Sequence, residues 1–211
     1  MSLAVVRSRA PALGRAPEVT VEVHLANGLP SFSIVGLPDL EVRESRERVR
    51  AALQNCGFNF PVRQTVNLAP ADLPKESGRF DLPIALGILA ASGQIAAEAL
   101  LHREFAVELS LTGALRPVRG AFAMACGAAI CTGAARAGAA LDGTSIRDTD
   151  ARMPEIDLPL GGAAEAALVP GIDIFGAPDL PALCAHLGGS IDGRLMSIRG
   201  AGAHRCPISS M

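Results

Sequence analysis

EVTVEVHLANGLPSFSIVGLPDLEVRESRERVRAALQNCGFNFP, residues 18–61, carries two periodicities in succession. Val19, Val21, Val23 and Leu25 alternate with Glu18, Thr20, Glu22 and His24, which is the pattern of a strand with one buried face. Asn27-Gly28 supplies a turn. Ser31–Leu37 follows as a second strand, with Phe32 and Ile34 in alternation. Gly36-Leu37-Pro38-Asp39 then stops the strand, and Asp39 is placed to cap a helix. Val42, Val49, Leu53 and Cys56 recur at helical spacing, and Gly57 closes the helix. Its outer face holds Arg43, Glu44, Arg46, Glu47, Arg48 and Arg50. Such a mixture reads as a solvated, ion-paired surface. Arg43, Arg46 and Arg50 are the candidate face for a nucleic acid or protein partner.

The flanking sequence extends this β-then-α pattern. Leu3–Arg7 is a short apolar strand, and with the two strands above it suits an antiparallel meander. Gln64–Leu68 is a further strand. Ala69–Arg79 is a loop rich in proline and charge. Asp81–Gly93 is apolar almost all round, so it reads as a buried helix, with Pro83 tolerated in the first turn. Phe105–Thr112 reads as a strand, turned back at Gly113-Ala114 toward a return strand at Leu115–Val118. Gly120–Ala129 is an alanine-rich helix. Ile130–Asp157 lacks periodicity and is read as an irregular insert. Ala163–Leu168 is helical, Ile172–Phe175 a strand and Asp179–Leu187 a helix. Residues 190–211 show no core pattern and are expected to form a flexible tail. The expected unit is one domain over residues 1–189.

Composition narrows the function classes. The 211 residues are 49% hydrophobic and 19% charged, which excludes a disordered chain. Aromatics are 3%, with no Trp or Tyr, so a stacking platform for single-stranded nucleic acid is not expected. A net charge of −2 gives no overall basic field. No apolar run is long enough for a transmembrane helix, and the first residues lack the apolar core of a secretory signal. A cytoplasmic protein with reduced cysteines is therefore expected, without membrane contact.

Three stretches occur in order: VEVHLANGLPSFSIVGLPDLEVRESRERVRAALQNCGFNFP, VNLAPADLPKESGRFDLPIALGILAASGQI and ELSLTGALRPVRGA. Together they resemble the N-terminal domain of the YifB/ComM family of bacterial AAA+ ATPases. These are called Mg-chelatase-like after the ChlI subunit. The likeness covers about residues 1–128 and resumes near 158–188. Residues 130–157 and 194–211 depart from the family's pattern. The resemblance implies an α+β, two-layer domain like the Lon-protease catalytic domain and a small-subunit ribosomal protein, with a mixed β-sheet packed against helices. It implies a P-loop ATPase domain that these 211 residues do not include, hence a truncated form. It also implies ATP and Mg as cofactors of the full-length protein, with no cofactor in this chain. The expected partners are an AAA+ ring or further copies, and DNA through a full-length protein that resembles branch-migration helicases of natural transformation.

Catalytic chemistry has few candidates. Lys75 is the only lysine, and Leu-Pro-Lys-Glu-Ser is not a Walker A loop, which needs glycines and Gly-Lys-Ser/Thr. No ATPase activity is expected from this chain. A Ser–Lys peptidase is the alternative that the Lon-like resemblance raises, and it needs a serine beside a lysine held neutral. The resemblance puts the nucleophile's place near Arg79 and the lysine's place on Ala121–Met124, where neither residue type stands. Ser77 with Lys75 is the remaining pair, on a loop that reads as exposed, where a lysine stays protonated. Lys75, Glu76, Ser77, Arg79 and Asp81 form a candidate relic groove for DNA, a neighbouring subunit or the ATPase ring. The structural alternative is a helix start, with Asp81 as its cap and Arg79 paired to an acid. A stand-alone nucleic-acid-binding domain is a third reading. Cys184-Ala-His186 and His204-Arg-Cys206 are too closely spaced for ordinary zinc ligands, so no metal is expected. His24 reads as a surface histidine, and Cys126 and Cys131 as small apolar residues.

Overall fold

The computed structural model describes residues 2–11, 15–141, 155–190 and 193–198, with side chains for all of these except 132–141. Strand β1 (Ser2–Arg9) pairs antiparallel with β2 (Glu18–Ala26), from Ser2 opposite Leu25 to Arg9 opposite Glu18. The next strand, β3 (Ser31–Val35), leads into helix α1 (Leu40–Asn55), which leads into β4 (Arg63–Ala69). Asp39 caps α1 as its sequence predicts, its carboxylate accepting from Val42 N–H at 2.7 Å.

β3 does not continue a meander from β2. β4 inserts between them, antiparallel to β2 and parallel to β3. The cause is α1. Its apolar stripe must lie on the sheet, and a helix packed between two strands makes a crossover that returns parallel. Gly36, at φ +96°, ends β3 where a Cβ would collide with the Leu68 carbonyl.

Helix α2 (Asp81–Ala91) is buried on nearly every side, as its uniform apolarity predicts, and packs on β1 and β2. After it come β5 (Arg103–Phe105), the short hairpin β6 (Glu108–Leu109) and β7 (Leu115–Arg116), and α3 (Ala121–Leu141). Then follow β8 (Glu155–Pro159), α4 (Leu160–Ala166), β9 (Asp173–Ala177), α5 (Leu180–Leu187) and β10 (Ser197–Ile198). The main sheet has the order β10-β9-β8-β5-β1-β2-β4-β3. β1, β5, β8 and β9 run parallel, and β10 is antiparallel to β9. This mixed sheet with helices on it is the α+β class expected.

Three expectations change. The single strand Phe105–Thr112 is two strands, because the 79–82 turn takes the backbone of Val107. Its N–H donates to Arg79 O at 3.0 Å, and its C=O accepts from Leu82 N–H at 3.1 Å. The supposed irregular insert is helical from Ile130 to Leu141 and a strand from Glu155, while 142–154 lie outside the described residues. Alanine's propensity continues α3 past the end of its apolar periodicity. In the supposed tail, Ser197–Ile198 pairs with Phe175 and Ile174, and 199–211 lie outside the described residues.

Two cores result. One lies under α1, α2 and α5 and contains Val6, Val21, Val23, Leu53, Val66, Leu68, Phe105 and Leu183. The other lies on the opposite face of the parallel strands, under α3 and α4, and contains Met124, Ile156, Leu158 and Ile174.

Candidate functional site

The 74–81 loop joins β4 to α2, and its charges turn inward. Lys75 is fully buried, contrary to the exposed placement expected from the loop's composition. Its backbone explains this. Lys75 bridges to Pro38, and its C=O accepts from Asp39 N–H at 3.1 Å, so the loop is drawn against the start of α1. Nζ donates to the Pro70 carbonyl. Burial pushes the ammonium pKa down, with Asp72 acting in the opposite direction. Glu76 is exposed. Ser77 has φ +67°, and its Oγ accepts from Arg79 Nε at 3.0 Å.

Arg79 is buried too, and no acid pairs with it among the described residues. Its guanidinium is held by Glu76 O at 3.2 Å, Arg119 O at 3.3 Å and Met124 Sδ at 3.7 Å. Burial pushes its pKa down, with Glu76 opposing. Asp81 does not cap α2. It is the first residue of the helix, and its carboxylate accepts from Arg48 Nε at 2.6 Å, Arg48 Nη2 at 3.1 Å and Leu109 N–H at 3.1 Å. The Asp81 carboxylate in turn raises the Arg48 pKa. This ion pair ties α1, α2 and β6 together. Arg48, expected on the solvated face of α1, is therefore structural.

The two places that the Lon-like resemblance assigns to nucleophile and lysine do meet. Arg79 reaches Arg119 and Met124, next to Ala121, Phe122 and Ala123 at the start of α3. What meets there is a guanidinium and a thioether, which supply neither a nucleophile nor a base. Ser77 and Lys75 do not join. The hydroxyl faces Arg79, and the ammonium faces Pro70.

The arginines of α1 are sorted by side. At 100° per residue, Arg43, Arg46 and Arg50 share one flank, with Glu47 at its rim, while Glu41, Glu44 and Arg48 share the other. Arg43 and Arg46 are exposed. Arg50 lies over the Phe60 ring, 5.4 Å from its centroid, and 3.9 Å from Glu47. Arg50 and Gln54 also line a groove with Pro30, Phe60 and Val62. This flank faces the β3 side of the sheet.

Sequence reasoning missed two charged clusters, one buried and one half-buried around the buried Asp157. Arg9 on β1 binds Glu104 on β5 in a fork, at 2.6 and 2.7 Å. Arg103 meets Asp157 at 3.1 Å, Glu155 at 2.5 Å, His186 Nε2 at 3.2 Å and the Phe175 ring at 5.3 Å. Burial pushes the Asp157 carboxyl up to about 7 against the pull of Arg103. Burial and Arg103 push His186 down. His186 Nδ1 accepts from Leu195 N–H at 3.1 Å, so both of its ring nitrogens are engaged inside the protein. An acid on one strand and an arginine on another leave no local spacing signal. Cys184 is a free thiol, pushed up to about 12 by burial. Among the described residues no group of His, Cys, Asp and Glu is arranged to hold a metal, and no helix is long and apolar enough to cross a membrane. His204-Arg-Cys206 lies outside the described residues.

Residues 21–136 match the family model of subunit ChlI of Mg-chelatase. Competence protein ComM of Haemophilus influenzae is 61% identical over 121 residues, which is 57% of this chain and 24% of that protein. The uncharacterized protein YifB of Salmonella typhimurium is 56% identical over 126 residues, 59% of this chain and 25% of that protein. An uncharacterized protein of Mycobacterium bovis is 37% identical over 173 residues, 82% of this chain and 30% of that protein. The chain thus spans about a quarter of the length of the first two.

Proposed function

Because the chain belongs to the family of Mg-chelatase subunit ChlI, as a ComM/YifB-type N-terminal domain, we propose that it is a non-catalytic module of a ComM-like AAA+ ATPase. Its work is assembly and regulation of the motor. ATP and Mg are handled by the full-length protein, and DNA is engaged there, in branch migration of the kind used in natural transformation. The name of the Haemophilus influenzae relative supports the link to competence. The setting is the cytoplasm.

The observation that carries this reading is Arg79. A buried guanidinium, bonded to Arg119 O and Met124 Sδ, stands at the place that the Lon-like resemblance assigns to a nucleophile. The single lysine has no P-loop around it. The purified chain is expected neither to hydrolyse ATP nor to bind it at micromolar levels. Saturable ATP binding competed by ADP overturns the proposal.

The peptidase reading has one observation in its favour, the lowered pKa of buried Lys75. It needs that amine beside a serine, and Ser77 Oγ is already taken by Arg79. A serine-reactive fluorophosphonate probe is expected to leave the chain unlabelled, and stoichiometric labelling lost in Ser77→Ala would establish the peptidase.

A further inference from the structure

β3 is an edge strand, with β4 on one side and no strand on the other among the described residues. Ser31 N–H donates to Val62 O at 3.1 Å. In a parallel ladder this fixes the alternation, so the N–H and C=O groups of Phe32 and Ile34 point away from β4. Edges of this kind are ordinarily blunted by lysine, proline or a covering segment. β3 reads Ser-Phe-Ser-Ile-Val and carries no charge. Exposed apolar side chains gather at its two ends: Leu29 at 84% and Val62 at 58%, then Leu37 at 58% and Leu40 at 72%.

Beside this edge stands the arginine flank of α1. Arg43, Arg46 and Arg50 span about 10 Å along the helix axis, the length of about three strand residues. We propose that the β3 edge and this flank together form a docking groove for an extended, acidic peptide segment of a partner protein. Such a segment would add a strand to β3 through the outward groups of Phe32 and Ile34. Two carboxylates on alternate residues, about 7 Å apart, would face the row of Arg43, Arg46 and Arg50, and an apolar residue would enter the groove beside Phe60. Charge selects this occupant over a second copy of the chain. Two β3 edges paired about a two-fold axis would bring two arginine flanks together. The open hydrogen-bonding edge favours a peptide over a nucleic acid, which has no strand to pair. The inference is independent of the ATPase assignment, because it uses only the surface of this domain.

The test is fluorescence anisotropy of the full chain with a labelled peptide of alternating glutamate and valine. Controls are the same peptide N-methylated on alternate backbone nitrogens, a lysine–valine peptide and an oligothymidylate. The glutamate–valine peptide is expected to bind saturably, and the two other peptides and the oligonucleotide much more weakly. N-methylation should weaken binding about tenfold, the loss of two hydrogen bonds. The Arg46→Ala/Arg50→Ala double variant should weaken it about fivefold, with a shallower salt dependence. Ile34→Pro should abolish binding, since it removes an outward N–H that the ladder to β4 does not use. The arginine variants and the N-methylated peptide decide the matter if that variant fails to fold. No saturable binding, equal binding of the N-methylated peptide, or tighter arginine-dependent binding of the oligonucleotide overturns the proposal.

Discussion

The half of the sheet built on the antiparallel pairs β1–β2 and β2–β4, with β3 at its edge, and the half built on the parallel strands β5, β8 and β9 are covered differently. In β1, β2, β4 and β3, one face packs under α1 and α2 and the other is open. Ala4 and Val6 are buried, while Leu3 and Val5, which alternate with them, are 64% and 50% exposed. In β8 and β9 both faces are covered, with Ile156, Leu158 and Ile174 under α3 and α4, and Asp157 and Phe175 toward α5. The mainly antiparallel half faces water on one side, as antiparallel sheets can, whereas the crossovers α3 and α4 cover the second face of β5, β8 and β9; the parallel β3–β4 pair has the single crossover α1 and so is covered on one face only. It teaches where ligands can act. The covered half keeps its charges inside as a clamp around Arg103. The open half presents a bare edge and a row of arginines. The strand ladder between the halves is thin, a single parallel pair of Arg7 with Glu104 reinforced by the Arg9–Glu104 fork, while the core under α1, α2 and α5 spans both.

The largest effect is expected at that seam. Arg9→Ala leaves Glu104 buried without its partner and should cost about 3–5 kcal/mol in urea unfolding. A cost under about 1 kcal/mol would mean that the shared core, and not this pair, carries the junction. Next, Leu158→Ala in the covered half should cost about 3 kcal/mol, and Leu3→Ala on the open face only about 0.5 kcal/mol. Equal losses would erase the contrast between the halves. Lys75→Ala should cost about 2 kcal/mol, because it empties a packed position. A change within about 0.5 kcal/mol, as at a surface site, would place the lysine outside.

A further test of the covered half is a pH slope at Asp157. Its native carboxyl is raised to about 7, above the ordinary value of 3.8, so between these limits the native state binds more protons than the unfolded one. Its contribution to stability is therefore full below about pH 4 and is lost as pH rises toward 7. His186, held down by burial and Arg103, acts in the opposite direction, adding stability as pH rises through the range of a free imidazole. Between pH 5 and 8 the wild type should lose stability relative to Asp157→Asn. A difference between the two that does not change with pH would show that Asp157 titrates normally.

Local pattern revealed much of the fold. The alternation of Val19 to Leu25, the Asp39 cap and the uniform apolarity of α2 each correspond to an observed element, because each is a short-range consequence of side-chain period and capping chemistry. The candidate site was legible only as a list. Lys75, Arg79 and Asp81 stand in a charged loop, and nothing local says that all three are buried or that Arg48 comes from another helix to meet Asp81.

By itself the sequence determined β2, α1 and α2, the absence of a P-loop around its one lysine, and the family. Tertiary structure alone decided that β4 separates β2 from β3, that β3 is left as an edge, and that the loop charges face inward. The physical reason is range. Periodicity and caps act over a few residues, whereas strand order and the burial of a charge depend on which distant segments fill the space beside it, as Pro38 does for Lys75 and Arg48 for Asp81.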